Sequence, residues 1–271
     1  MGFRYSYEVS DNHRDRSLVK SVMLFIAFIL IVILFTTCLG YSDKSTAHTN
    51  AADQILLFNG TGASFKDVAA VETILDNRHL KYSTVNSSQL NGMSQSQLNA
   101  YHLLIVPGGN FIDMGNSLTS GTADNIHDAV QHGLNYFGIC AGGFLAGNSG
   151  YYNGLNLTSG VKFGFYAAEK HGIRKTAVAI TSLGAPTLDQ YWEDGPQFTG
   201  WGAVVAKYPD NTPAIVEGAF GKGWVILSGI HAEAPEDWRR GMTFKTSAGQ
   251  DNAYAAVLIR AALSKTSLPH Y

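Results

Sequence analysis

The stretch FGICAGGFLAG (residues 137–147) places a cysteine between glycines, directly after a short apolar run. An apolar run that ends in glycines predicts a buried strand followed by a sharp turn. Gly138, Cys140 and Gly142 have the G-x-C-x-G spacing of a nucleophile elbow, a strand-to-helix turn that lifts its central side chain above a sheet. Two interpretations stay open here. Cys140 is either a nucleophile on such a turn or a buried small hydrophobe in a glycine-rich packing site.

Strand and helix patterns alternate on both sides of this turn. Apolar runs predict strands at residues 54–60, 81–85, 103–106 and 134–140. Helical spacing predicts a helix that Ser64 caps at its N-terminus and a second helix, residues 122–132, that Gly133 caps at its C-terminus. This alternation predicts an α/β fold with a mainly parallel sheet and helices on its faces.

The C-terminal half is predicted to contain more β-structure. Strands are expected at residues 175–182 and 203–208, separated by a loop rich in aromatic residues. A further strand, residues 224–227, and a terminal helix, residues 252–265, complete the pattern. Ligands of parallel sheets bind at the carboxyl ends of the strands. Because the glycines after strand 103–106 and the cysteine after strand 134–140 both occupy such ends, a site is expected there.

A catalytic cysteine needs an anion-stabilising position, a base and oxyanion donors. A helix N-terminus favours the thiolate, since unpaired N–H groups and the helix dipole stabilise negative charge. His231 is the candidate base, and Glu233 lies two residues later, on the same side of an extended segment, where it can orient the imidazole. The candidate oxyanion donors are the backbone N–H groups of Gly109 and Ala141.

The rim of the pocket is predicted from polar and aromatic residues near these groups. The candidate substrate-binding residues are Asn110, Phe144, Trp192, Asp194 and Gln197. The histidine, cysteine and acidic residues show no convincing metal-ligand spacing, so neither a metal nor a cofactor is expected.

Composition describes a folded, nearly neutral protein. Of 271 residues, 45% are hydrophobic and 15% are charged, and the formal net charge is −2. This balance gives no indication of nucleic-acid binding. The chain has two cysteines, and only Cys140 lies beyond the N-terminal apolar segment. An internal disulfide of the main domain is therefore excluded.

The N-terminus has the pattern of a membrane anchor. Residues 22–35 are uninterruptedly apolar, and the following TTCL brings the run to about the ~18 residues that cross a bilayer. The excess of basic residues before this run predicts a cytoplasmic tail (residues 1–20), a transmembrane signal anchor (21–41), a linker (42–52) and an exported domain (53–271). Two alternatives stay open: a cleaved signal peptide with a secreted domain, and lipid attachment at Cys38.

Three motifs together resemble a known superfamily. VPGGN, GICAGG and GIHAE occur in that order, and they are similar to the class I glutamine amidotransferase-like superfamily. LLFNGTGAS and YWEDGPQF most resemble the N-terminal domain of some biotin-protein ligases, which also occurs as a stand-alone protein. The resemblance covers nearly all of residues 53–271. It implies a flavodoxin-like three-layer sandwich with Cys140 as nucleophile, His231 as base and Glu233 as its orienting residue.

Departures from the family pattern bear on the substrate. Phe144 stands where glutamine amidotransferases usually carry a glutamine that helps to bind the substrate. No segment resembles a synthetase or ligase catalytic domain, so ammonia transfer and biotin transfer are not expected. The sequence therefore predicts a cysteine hydrolase or amidotransferase-like enzyme that acts on an unknown amide, ester or peptide. The alternatives are a non-catalytic ligand-binding or regulatory module and a redox role for Cys140.

Overall fold

The structure is a computed structural model, and it describes residues 54–159, 162–166 and 174–271. The predicted cytoplasmic tail, signal anchor and linker lie outside the described residues. Within the described part of the chain, no helix combines the length and the apolar character that crossing a bilayer requires.

A nine-stranded sheet forms the centre of the described domain. Its order is β2-β1-β3-β4-β11-β10-β9-β6-β7, and the first five strands of this order are parallel. The other four extend the sheet in antiparallel fashion, while β5 and β8 form a separate antiparallel pair. The strands are β1 (Ile55–Phe58), β2 (Tyr82–Val85), β3 (Leu103–Val106), β4 (Asn135–Ile139), β5 (Lys162–Phe165), β6 (Lys175–Ser182), β7 (Leu188–Glu193), β8 (Pro196–Thr199), β9 (Ala203–Lys207), β10 (Pro213–Phe220) and β11 (Gly223–Ser228).

Helices cover both faces of this sheet, and together they give the predicted three-layer α/β architecture. Alternate residues of β1 point to opposite faces. Ile55 and Leu57 pack in one core with α1 and α7, and Leu56 and Phe58 pack in a second core with the other helices. The helices are α1 (Phe65–Asn77), α2 (Ser87–Asn91), α3 (Gln95–Leu98), α4 (Phe111–Ser117), α5 (Ser120–His132), α6 (Ala141–Leu145) and α7 (Ala248–Ser264).

The predicted caps are confirmed. The Ser64 side chain accepts a hydrogen bond from the backbone N–H of Asp67 at the start of α1. Gly133 ends α5 with φ of 130°, a conformation that favours glycine.

The predicted aromatic-rich loop between the strands at 175–182 and 203–208 is wrong, because β7 and β8 lie within it. The polar residues Asp189 and Gln190 interrupt the apolar pattern of β7, yet both are buried. Tertiary contacts make this possible, since the Asp189 carboxylate accepts a hydrogen bond from the Lys245 backbone N–H at 2.7 Å. This partner lowers the cost of burying Asp189, whereas the side-chain amide of Gln190 is buried without a hydrogen-bond partner among the described residues, so the strand forms despite that cost.

The turn between β4 and α6 depends on close backbone approaches. A Cβ atom on Gly142 would lie 2.0 Å from the Val106 carbonyl oxygen, and one on Gly138 would lie 2.4 Å from the Gly142 carbonyl oxygen. Neither neighbour is a flexible side chain that can move aside. Cys140 itself has φ of 49°, an uncommon conformation for a residue with a side chain. The glycines of the opening motif therefore let the elbow pack tightly against β3.

We expect Gly142→Ala to destabilise the domain, because the added methyl group meets the β3 backbone. The free energy of unfolding, measured by urea denaturation, should fall by about 2 kcal/mol or more. The matched control is Gly121→Ala in α5, where a Cβ atom would have no neighbour closer than 3.9 Å. That variant should be as stable as the wild type or more stable by about 0.5–1 kcal/mol. Equal stability of the two variants would contradict the packing account of the elbow.

Candidate active site

Cys140 lies between the end of β4 and the first turn of α6. Its backbone N–H donates to the carbonyl oxygen of Ser228 at 2.7 Å, which ties the elbow to the end of β11. The side chain is only 6% exposed, and it lines a cavity of about 450 Å³. Its Sγ lies 3.7 Å from the carbonyl oxygen of Glu193. The thiol is therefore presented to a cavity, as the first of the two interpretations of the motif requires.

His231 and Glu233 follow β11 and form a buried pair. His231 Nδ1 lies 2.8 Å from Glu233 Oε1, the contact expected from their spacing of two residues. The backbone N–H of His231 donates to the carbonyl oxygen of Tyr191 at 2.9 Å, which fixes the segment against β7. His231 lines the same cavity as Cys140. Among the described residues, no hydrogen bond joins the Cys140 thiol to the imidazole.

A second carboxylate contacts the same imidazole nitrogen, and sequence reasoning missed it. Asp67 Oδ1 lies 3.0 Å from His231 Nδ1, and the Asp67 side chain is buried. A signal was present, since Asp67 precedes Val71 by four residues and Ile74 by seven. Those intervals place an acid on the apolar face of α1. A buried acid on such a face requires a partner, which the pattern of α1 alone could not name.

Charge controls the protonation of this cluster. Burial lowers the pKa of His231, but the negative charges of Cys140, Glu233 and Asp67 raise it more, and the pKa lies well above its ordinary value. Burial raises the pKa of Glu233, while the positive charge of His231 opposes this increase. Burial also raises the pKa of Asp67. The positive charge of His231 and the hydrogen bonds from His231 and Ser64 outweigh this effect, so the pKa of Asp67 is lowered overall. The cluster thus stabilises an imidazolium flanked by carboxylate.

The two candidate oxyanion donors line the cavity beside Cys140. Ala141 is the first residue of α6, so its backbone N–H has no intrahelical acceptor. Gly109 forms a β-bridge with Ala63. The two hydrogen bonds of this bridge run from Ser64 N–H to the Gly108 carbonyl oxygen and from Asn110 N–H to the Gly62 carbonyl oxygen, so the Gly109 N–H takes no part in them. A Cβ atom on Gly109 would lie 2.1 Å from the Gly62 carbonyl oxygen. Glycine is therefore required for this approach.

The structure brings three of the five predicted rim residues to the cavity. Asn110, Phe144 and Asp194 line it. Asn110 also caps α4, since its side chain accepts hydrogen bonds from the backbone N–H groups of residues 112 and 113. Phe144 lies in α6, and Asp194 follows β7. Their role in substrate binding stays a prediction.

Trp192 and Gln197 do not line this cavity, and their prediction as rim residues is wrong. Trp192 is fully buried, and its indole N–H donates to the Gly195 carbonyl oxygen at 3.1 Å. Side chains alternate along β7, so Trp192 faces the core while Glu193 faces the cavity. Gln197 lies in β8, where its side chain accepts a hydrogen bond from the Thr199 hydroxyl at 2.6 Å.

Besides Asp67 and the helix cap Ser64, four further cavity residues were missed. They come from segments far apart in sequence, so no local pattern links them to Cys140. Arg174 forms an ion pair with Asp194. The missed residues are Phe111, Phe165, Arg174 and Glu193.

The side chains of Asp67, His231 and Glu233 also meet the distance requirement of a metal site, since their ligand atoms lie within 4.8 Å of one another. The expectation of no metal rested on sequence spacing that did not include Asp67. Both carboxylate oxygens are within hydrogen-bond distance of one protonated ring nitrogen. The attraction between a charged imidazole and two carboxylates therefore suffices to explain the close approach of these three side chains.

Comparison with solved structures places this fold in a known class. A crystal structure described as a glutamine amidotransferase matches with a TM-score of 0.53 and 20% identity, covering 66% of this chain and 90% of that chain. The α/β domain is thus a class I glutamine amidotransferase-like fold, as the motifs predicted. More particularly, residues 53–173 match the family model described as "Biotin-protein ligase, N terminal". No curated protein matches the chain.

The same fold occurs inside larger glycosidases. The exo-beta-1,4-mannosidase Op5Man5 from Opitutaceae bacterium strain TAV5 matches with a TM-score of 0.51 and 14% identity, over 76% of this chain and 36% of that chain. The beta-galactosidase from Bacillus circulans sp. alkalophilus matches with a TM-score of 0.52 and 12% identity, over 80% and 32%. This chain spans about a third of each glycosidase, and at such identities the likeness concerns the fold alone.

We expect Asp67→Asn to lower the pKa of His231, because the substitution removes a negative charge 3.0 Å from Nδ1. The pH titration of the His231 ring by NMR measures this change, and the midpoint should move to lower pH. The matched control is Asp76→Asn, an exposed acid at the other end of α1, which should leave the midpoint unchanged. An unaltered midpoint in Asp67→Asn would refute the direct charge interaction.

Proposed function

We propose that the domain is a cysteine hydrolase or amidotransferase-like enzyme that acts on an amide, ester or peptide. Cys140 is its nucleophile, His231 its general acid and base, and Glu233 the residue that orients the imidazole. One observation carries this proposal. Cys140 and His231 line a single cavity, while the two carboxylates both engage His231 Nδ1 and so leave Nε2 for proton transfer.

In the proposed reaction, the Cys140 thiolate attacks the substrate carbonyl carbon, and the carbonyl electron pair moves to the oxygen. The N–H groups of Gly109 and Ala141 stabilise that oxyanion. Its collapse expels the leaving group, which takes a proton from the His231 imidazolium and leaves a thioester on Cys140. Water then attacks the thioester and gives its proton to the neutral imidazole. Release of the acid restores the thiolate and imidazolium.

A second candidate function is a ligand-binding or regulatory module that retains the residues without turnover. The contact of Cys140 Sγ with the Glu193 carbonyl oxygen favours it, since this thiol contacts a backbone acceptor and forms no hydrogen bond with the imidazole among the described residues. Catalysis requires the sulfur to leave that contact when a substrate binds. The fold is compatible with either role, and the reactivity of Cys140 separates them.

We further propose that residues 21–41 anchor the protein in a membrane, with the tail cytoplasmic and the domain exported. The support is the apolar run and the basic residues that precede it. Protease added to intact cells should then degrade the domain, and sodium carbonate should leave the protein in the membrane fraction. A domain that is protected until the cells are lysed would overturn this topology.

Iodoacetamide labelling of the native full-length chain at pH 6, resolved by peptide mass spectrometry, tests the thiolate–imidazolium pair. We expect Cys140 to label in the wild type and about tenfold or more slowly in His231→Ala, because the positive charge favouring the thiolate is lost. The matched control is His270→Ala, an exposed histidine far along the chain from the site residues, in which Cys140 should label at the wild-type rate. Labelling of Cys140 only after denaturation would contradict the proposed enzyme. Hydrolysis of p-nitrophenyl esters that is lost in Cys140→Ala would exclude the binding module.

A further inference from the structure

Three phenylalanine side chains form one wall of the cavity that contains Cys140. The ring centroids of Phe111 and Phe144 lie 4.5 Å apart with an interplanar angle of 29°, and those of Phe144 and Phe165 lie 5.2 Å apart. All three residues line the cavity, and Phe165 is 41% exposed. These three side chains are called the aromatic wall below. They provide a continuous apolar surface in contact with the space above the sulfur.

The aromatic wall is attached to the same backbone segments as the proposed oxyanion donors. Phe111 follows Gly109 by two residues, and Phe144 follows Ala141 by three. When the carbonyl oxygen of a substrate lies between the two donor N–H groups, one of the two groups bonded to the carbonyl carbon therefore lies beside these rings. On the polar side, the described lining includes Asp67 and Glu193, and the nearby rings of Tyr191 and Trp238 are not part of the described lining of this cavity.

The position of His231 shows whether the acyl group or the leaving group of the substrate lies beside the aromatic wall. The imidazole gives its proton to the leaving group, so the leaving group must lie on the imidazole side of the carbonyl. The ring neighbours of His231 are Tyr191 at 5.8 Å and Trp238 at 6.0 Å, and no ring contact joins it to the aromatic wall within the described residues. The acyl side of the substrate therefore faces the aromatic wall.

We infer that the substrates of this site carry an apolar acyl group, aryl or aliphatic, and this inference rests on the proposed function. Burial of such a group against three rings removes apolar surface from water and adds ring–ring contacts. A cavity of about 450 Å³ is large enough for a phenyl-sized group. The charged groups at its edge, Arg174 and Asp194, are paired with each other.

The test compares phenylacetyl and acetyl esters of p-nitrophenol with the full-length chain in detergent. Because the leaving group is the same, the ratio of their kcat/KM values reports on the acyl side alone. We expect the ratio to favour phenylacetyl by about tenfold or more after correction for uncatalysed hydrolysis. Phe165→Ala should lower this ratio by about two- to tenfold, because the loss of one ring of the wall weakens phenylacetyl hydrolysis more than acetyl hydrolysis.

Phe220→Ala is the matched control. Phe220 is a half-buried phenylalanine paired with Gly223, at the end of β11 opposite the site, and its substitution should leave the ratio unchanged. Equal kcat/KM values for the two esters, or an equal loss of both in Phe165→Ala, would overturn the inference and leave the hydrolase intact.

Binding of phenylacetamide and acetamide to Cys140→Ala, measured by calorimetry, separates the inference from the proposed function. Preferential binding of phenylacetamide without ester turnover by the wild type would refute the hydrolase and support the apolar acyl pocket. Ester turnover without any preference in binding or kinetics would support the hydrolase and refute the apolar acyl pocket.

Discussion

The close contact between the elbow and its neighbouring strands is the constraint on which the site depends. The backbone of Gly142 lies so near the Val106 carbonyl that a methyl group cannot fit, and Cys140 N–H donates to Ser228 on the other side. The elbow is thereby fixed between the ends of β3 and β11. The sulfur of Cys140 and the first N–H of α6 come from the elbow itself, Gly109 follows β3, and His231 follows β11. Sheet pairing places β3 and β11 on either side of β4, and these contacts then fix the elbow relative to the segments that carry Gly109 and His231.

Electrostatics adds a second constraint, which acts on the imidazole. Two buried carboxylates contact one nitrogen of His231, so the ring is held by Nδ1 from two separate elements. Glu233 lies on the same segment as the histidine, and Asp67 lies in α1. Burial alone would make the imidazole neutral, but the surrounding negative charge reverses this effect. The same two carboxylates therefore contribute both to the orientation of the ring and to its protonation.

Local patterns predicted the parallel part of the fold and the residues proposed as nucleophile and base. The apolar strands, the caps at Ser64 and Gly133, and the pairing of His231 with Glu233 each depend on residues close in sequence. Asp67, Glu193 and Phe165 were missed because their role arises only when distant segments meet. Trp192 was misassigned because β7 was not predicted, since the buried polar residues of this strand interrupt its apolar pattern. Without the strand, the direction of the Trp192 side chain could not be inferred. Local sequence patterns thus indicated the proposed nucleophile and its proposed base, while the shape of the pocket required tertiary structure.

The completed site draws on both halves of the domain. The segment that matches the biotin-protein ligase N-terminal family, residues 53–173, contains Asp67, Gly109 and Cys140, whereas His231 and Glu193 come from beyond it. In the strand order β7 lies at the far edge of the sheet, yet Tyr191 forms a β-bridge with His231. The antiparallel extension therefore returns to the carboxyl ends of the parallel strands. It supplies Glu193 on one side of Cys140, and α4, β5 and α6 supply the aromatic wall. Variation at Phe111 and Phe165, which lie outside the elbow, can therefore alter which acyl group fits the proposed pocket while the elbow and the imidazole cluster stay unchanged.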